Sequence, residues 1–102
     1  SAGKQGIKGG GRMNTFRLII ASPDGNIFDD QAYMLTVRGT EGELAILAGH
    51  VPFITSVVAC KVKIELPSEE SDDRIGFTEG GLLSVSHDTV TLLSSSFQWE
   101  KK

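Results

Sequence analysis

Lys61-Val62-Lys63-Ile64-Glu65-Leu66 decides the fold class. Charged and apolar residues alternate strictly, so an extended strand places Val62, Ile64 and Leu66 on one face and Lys61, Lys63 and Glu65 on the other. A helix would scatter the same residues around its axis. Toward the N-terminus the period recurs. Phe53 to Val58 is a short apolar stretch rich in β-branched residues, and Leu44 and Ile46 share a face. Tyr33, Leu35 and Val37 alternate against Met34, Thr36 and Arg38, with Gly39-Thr40-Glu41-Gly42 able to close a hairpin. Phe16, Leu18 and Ile20 oppose Arg17 and Ile19, and Pro23-Asp24-Gly25-Asn26 supplies turn chemistry after them. Toward the C-terminus, Ile75 and Phe77 face one way ahead of Gly80-Gly81. Leu83 and Val85 lead into His87-Asp88-Thr89, and Val90 and Leu92 complete the set.

No segment sustains a 3.6-residue period, and no helical segments separate the strands, which argues against parallel βαβ winding. The expected fold is all-β: an antiparallel two-sheet β-sandwich of about eight to ten short strands, each with one dry side.

The chain has 102 residues, 39% of them hydrophobic and 23% charged, which suits one small domain with a real core. No apolar run approaches the ~20 residues of a membrane-spanning helix. Residues 1–12 hold five of the twelve glycines with Lys4, Lys8 and Arg12 and no acid, and Met13 follows. They read as an expression leader ahead of a domain over 13–102. Without the three leader cations the net charge moves from −3 to −6. An acidic body argues against non-specific nucleic-acid binding. Pro67-Ser68-Glu69-Glu70-Ser71-Asp72-Asp73 lacks the spacing of a calcium loop and reads as a solvated connection.

Reactive groups are sparse. Cys60 stands alone, so it forms no internal disulfide, and with only His50 and His87 it builds no convincing zinc site. Within its apolar surroundings Cys60 reads as a small packed side chain rather than a nucleophile for His50. Ser86-His87-Asp88 are adjacent on a turn and cannot point at one another as a relay. The glycine pairs match neither phosphate-binding fingerprint. No catalytic residue, metal or cofactor is therefore assigned, and the domain is expected to present surfaces to partners.

Gly39-Thr40-Glu41-Gly42-Glu43-Leu44-Ala45-Ile46-Leu47-Ala48-Gly49-His50-Val51-Pro52 resembles the signature region of the ATP synthase epsilon subunit family, where a Gly-His and a following Pro close the segment. Phe16 to Gly25 resembles that family's opening strand and turn, and Phe28 an aromatic kept before its second strand. Thr78 to Val85 resembles its late glycine-pair hairpin, and Val90 to Ser94 its closing strand. The likeness runs from about Met13 to Ser96. Ala45 and Ala48 depart from it where Gly and Pro are usual, and Cys60 where Gly is frequent.

The resemblance implies a non-catalytic sandwich of the central rotor of an F-type ATP synthase, bound to the gamma subunit and resting on the ring of c subunits. By position, Glu43, with Glu41 and Gly42 beside it, lies against the polar loops of the c-ring, and His50 lies near a partner surface or caps its own turn. It further implies no obligate homo-oligomer. The protein would associate peripherally with the cytoplasmic face of a bacterial membrane, or the equivalent organelle membrane. The family continues into a helical hairpin, so a chain of this length is expected to be an excised domain, with a natural short form as the alternative. The competing reading is a stand-alone sandwich serving as an adaptor or small-ligand module.

Overall fold

The computed structural model describes residues 14–101. Residues 1–12, read above as a leader, and Met13 lie outside the described residues, so that reading stays an expectation. Eight strands follow in order: β1 (Phe16–Ser22), β2 (Gly25–Ala32), β3 (Met34–Gly39), β4 (Gly42–Leu47), β5 (Phe53–Glu65), β6 (Arg74–Val85), β7 (Thr89–Ser94) and β8 (Phe97–Trp99). The all-β expectation holds.

Two details differ from the sequence reading. Hydrogen bonding links the strands into one sheet, in the order β2-β1-β7-β6-β5-β3-β4 with β8 also on β6, instead of two separate sheets. One ladder, β1 with β7, is parallel. A parallel pair needs a long crossover, and five strands, β2 to β6, lie between these two.

The single sheet must nevertheless fold over itself. Side chains of β2 and β4, the two ends of the hydrogen-bonded path, share one buried cluster. Phe28 and Ala32 meet there with Ile46, Leu35, Val37, Leu18, Ile20, Val62, Ile64, Leu83 and Leu92. A flat sheet could not bring its opposite edges into one core.

Three strands show how the fold is made. β5 and β6 keep one register from Phe53↔Val85 to Ile64↔Arg74, passing over only Ala59 and Glu79 between Val58↔Gly80 and Cys60↔Thr78. β7 and β8 hold one continuous register on β6, with Gly81↔Ser94 and Thr78↔Phe97, and form in effect one strand broken at Ser95-Ser96. Along all three the buried residue changes parity at a common line. Val57 gives way to Val62 and Ile64; Gly76, Thr78 and Gly80 give way to Leu83 and Val85; Val90, Leu92 and Ser94 give way to half-buried Phe97 and Trp99. Gly80 sits on this crease at φ +117°, a conformation L side chains rarely adopt. Its N–H donates to Thr78 Oγ1 at 3.0 Å, Thr78 Oγ1 lies 2.6 Å from Ser94 Oγ, and Ser94 Oγ donates to the Ser96 carbonyl at 2.7 Å. Polar groups displaced from the ladder are thus satisfied inside the protein.

The crease also explains why Ile75 and Phe77 do share a face, but the outer one. The inner positions go to Gly76 and Thr78, and the Phe97 ring covers Gly76 so closely that a β-carbon there would run into it. Trp99 stacks edge-on against Phe97 at 5.0 Å and Phe28 at 6.0 Å, with the Arg74 guanidinium 4.2 Å from its ring centre.

Candidate partner interface

The β3–β4 hairpin carries the predicted site. Gly39 pairs with Gly42 around Thr40-Glu41, and Gly42 takes φ +125° to begin the returning strand. The structure thus brings Glu41, Gly42 and Glu43 together on one tight turn, with both carboxylates exposed. Neither forms an ion pair among the described residues. Glu43 stands opposite Arg38 in the ladder and borders two grooves. The smaller, about 190 Å³, also holds Arg38, Cys60, Lys61 and Lys63. The larger, about 490 Å³, runs between the turn and Phe53-Ile54-Thr55.

His50 is placed apart from that turn by its own bonds. Its Nδ1 lies 3.3 Å from the Leu47 N–H and 3.2 Å from the Leu47 carbonyl, and its ring packs on Phe53 at 6.2 Å. The imidazole caps the end of β4 in the Gly49-His50-Val51-Pro52 bend. Cys60 accepts a bond from the Arg38 N–H at 3.4 Å, so thiol and imidazole serve different strands. Ser86 Oγ donates to the Thr89 carbonyl and Asp88 Oδ1 accepts from Thr89 Oγ1, so the bonds of both go to Thr89 and not to His87. Among the described residues no group of three or more His, Cys, Asp or Glu converges as metal ligands would.

A second surface has no counterpart in the sequence reading. On the outer side of β5, β6, β7 and β1, ladder partners form two rows. One is Ile54–Ser84–Thr91–Ile19 and the other Ser56–Leu82–Leu93–Ala21. Neither row holds a charge. Ile54 is 67% exposed, Leu93 51% and Leu82 41%. The first charges appear at the margin, where Arg17 grips Asp29 through two bonds of 2.9 Å. Those bonds hold the Asp29 carboxyl below its ordinary range and raise the Arg17 guanidinium. Beyond the crease the outer surface is different, with Arg38, Lys61, Lys63 and Glu79 on it. The rows mix Ile19, Ala21, Ile54, Leu82 and Leu93 with Ser56, Ser84 and Thr91, and depletion of charge is a feature of interface centres.

The sequence did hold a signal for this face. Ile19-Ile20, Phe53-Ile54, Leu82-Leu83 and Leu92-Leu93 are four of the adjacent apolar pairs that interrupt the alternation. One member of each doublet turns toward the core and the other outward, and all four outward members fall in the two rows.

Residues 15–100 match the family model described as ATP synthase, Delta/Epsilon chain, beta-sandwich domain. The ATP synthase epsilon chain of Lactiplantibacillus plantarum is 38% identical over 78 residues, which cover 76% of this chain and 54% of the relative. The chain therefore spans about half the length of the curated relative it matches. Among solved structures, a chain of the Euglena gracilis mitochondrial ATP synthase, from an assembly of OSCP, F1 and c-ring, superposes with a TM-score of 0.77 at 19% identity, covering 97% of this chain and 62% of its own. A chain of the central stalk and c-ring assembly of Tetrahymena thermophila mitochondrial ATP synthase gives 0.70 at 13% identity, covering 86% and 68%. At such identities the structural likeness is one of fold. With the family model matching nearly all of the described residues, the chain belongs to the ATP synthase delta/epsilon-chain β-sandwich family.

Proposed function

We propose that this domain is a non-catalytic coupling element of the rotor of an F-type ATP synthase, held by the gamma subunit on its uncharged outer face and by the c-ring at the β3–β4 turn. The observation that carries the reading is the pair of uncharged rows across β5, β6, β7 and β1, whose exposed Ile54, Leu82 and Leu93 give the domain a face to cover. Glu41 and Glu43 supply exposed carboxylates at one end, suited to cationic loops on a ring. An exposed pair of this kind sets register more than affinity. His50 serves the same end indirectly, by fixing the bend that leads into β5. The domain would sit peripherally at the membrane, on the side of the catalytic head. A small-ligand module is less well supported, because the 490 Å³ groove is an open cleft beside a turn and not an enclosed pocket.

The test is co-expression with a gamma subunit and a c-ring, with Glu43→Lys and Leu82→Asp as variants. The reading expects Leu82→Asp to lose gamma and Glu43→Lys to weaken the ring contact, each with an unchanged melting temperature. Failure of the unaltered chain to co-purify with either partner would overturn it.

A further inference from the structure

We propose that the cleft between the β3–β4 turn and the start of β5 receives an extended segment of the gamma partner by strand addition; this rests on the reading above that gamma covers the uncharged face.

Residues 53–56 pair with β6 on one edge only. β3 turns back at Thr40-Glu41, so its ladder with β5 reaches only as far as Gly39↔Val57. Along residues 53–56 the alternate N–H and C=O groups turned away from β6 therefore have no strand partner among the described residues, and Phe53, Ile54 and Thr55 line the 490 Å³ cleft on that side. Such a row is a template for another strand unless it is blunted.

The rest of the molecule shows what blunting looks like. The outer strand β2 carries Asp29 and Asp30, and its register on β1 shifts between Ile20 and Ala21. At the other end, the Leu47 N–H of β4 is capped by His50. Residues 53–56 have no charge and no proline, and the side-chain bond that reaches their backbone, from Thr55 Oγ1 to the Ser56 carbonyl, is long at 3.4 Å. Gly39 and Gly42 keep the opposite wall low, and the site of a β-carbon on Gly42 has nothing within 4 Å.

The occupant follows from continuity. Ile54 belongs both to the uncharged face and to the cleft wall, so whatever covers the face reaches the cleft. Backbone pairing would supply adhesion and the Ile54 contact would supply register, while Glu41 and Glu43, which border the same groove, stay with the ring contact proposed above.

Hydrogen exchange of the backbone amides at residues 53–56, with and without the gamma subunit, tests this. Strand addition predicts roughly tenfold or greater slowing at alternate amides, those not already bonded to β6. Ile54→Glu, a change at an exposed side chain, should abolish the slowing and weaken gamma binding at least about tenfold with the melt unchanged. A gamma complex that forms with these amides unslowed overturns the inference while leaving the docked face standing. Slowing produced by the c-ring alone overturns the assignment to gamma. No complex with either partner overturns both the inference and the functional reading beneath it.

Discussion

At the scale of single residues, two carboxylates illustrate opposite settings. Asp29 is held by two hydrogen bonds from Arg17, which lower its carboxyl below the ordinary range. The sign follows from linkage: the folded protein binds that proton less readily than the unfolded chain. The contribution is then complete above the ordinary carboxylate value and disappears as pH falls through the lowered one. Both side chains are well exposed, so solvent screens the effect and it remains small. Carboxyl titration by NMR should place Asp29 low, and Arg17→Met should return it toward the ordinary value. An unshifted Asp29 in the unaltered protein would contradict the bidentate geometry. Glu43 has no such ion-pair partner among the described residues. Its place on the turn was legible from the glycines around Thr40-Glu41, of which Gly42 takes the φ of +125° that favours glycine as the returning strand begins. The fate of His50 was not legible, since a cap and a partner contact use the same residue in the same bend.

Among the elements, β1, β3 and β4 follow from alternation, as does the hairpin between the last two. β2 escapes it. In Gly25 to Ala32 only Phe28 and Ala32 are buried, and Asp29-Asp30 make an edge strand look like a loop. β5 and β6 were each read as two pieces, because the inward parity changes at Val57 and again at Gly80-Gly81. A period-2 argument sees such a change as a strand end, whereas a continuous ladder carries the chain across it. The glycines are therefore interior residues of a folded sheet. A β-carbon at Gly81 would press into the Leu93 backbone, so Gly81→Ala is expected to force the ladder apart. Chemical denaturation should show a loss on the order of 2 kcal/mol or more for Gly81→Ala. Gly25→Ala, in an open hairpin turn at φ +125°, should cost only about 1 kcal/mol from its backbone conformation. Equal effects would mean that the crease is not tightly packed.

For the whole molecule, the folded sheet buries one core with Leu18, Ile20, Leu35, Val62, Ile64, Leu83 and Leu92 fully enclosed. Interiors of this kind pass strain on instead of absorbing it, as the proposed coupling role requires. Leu92→Ala, at the centre of β7, should lower stability by about 2–5 kcal/mol. Because the inner and outer members of each apolar doublet are neighbours in sequence but face opposite sides, core and surface can be varied separately. The measurement that tests the central claim most directly is calorimetric titration of a gamma subunit with this domain, beside the double variant Leu82→Asp and Leu93→Asp. The account predicts that the unaltered domain binds with a negative heat-capacity change and that the variant loses binding while keeping its melting temperature. Undiminished binding by the folded variant would contradict it.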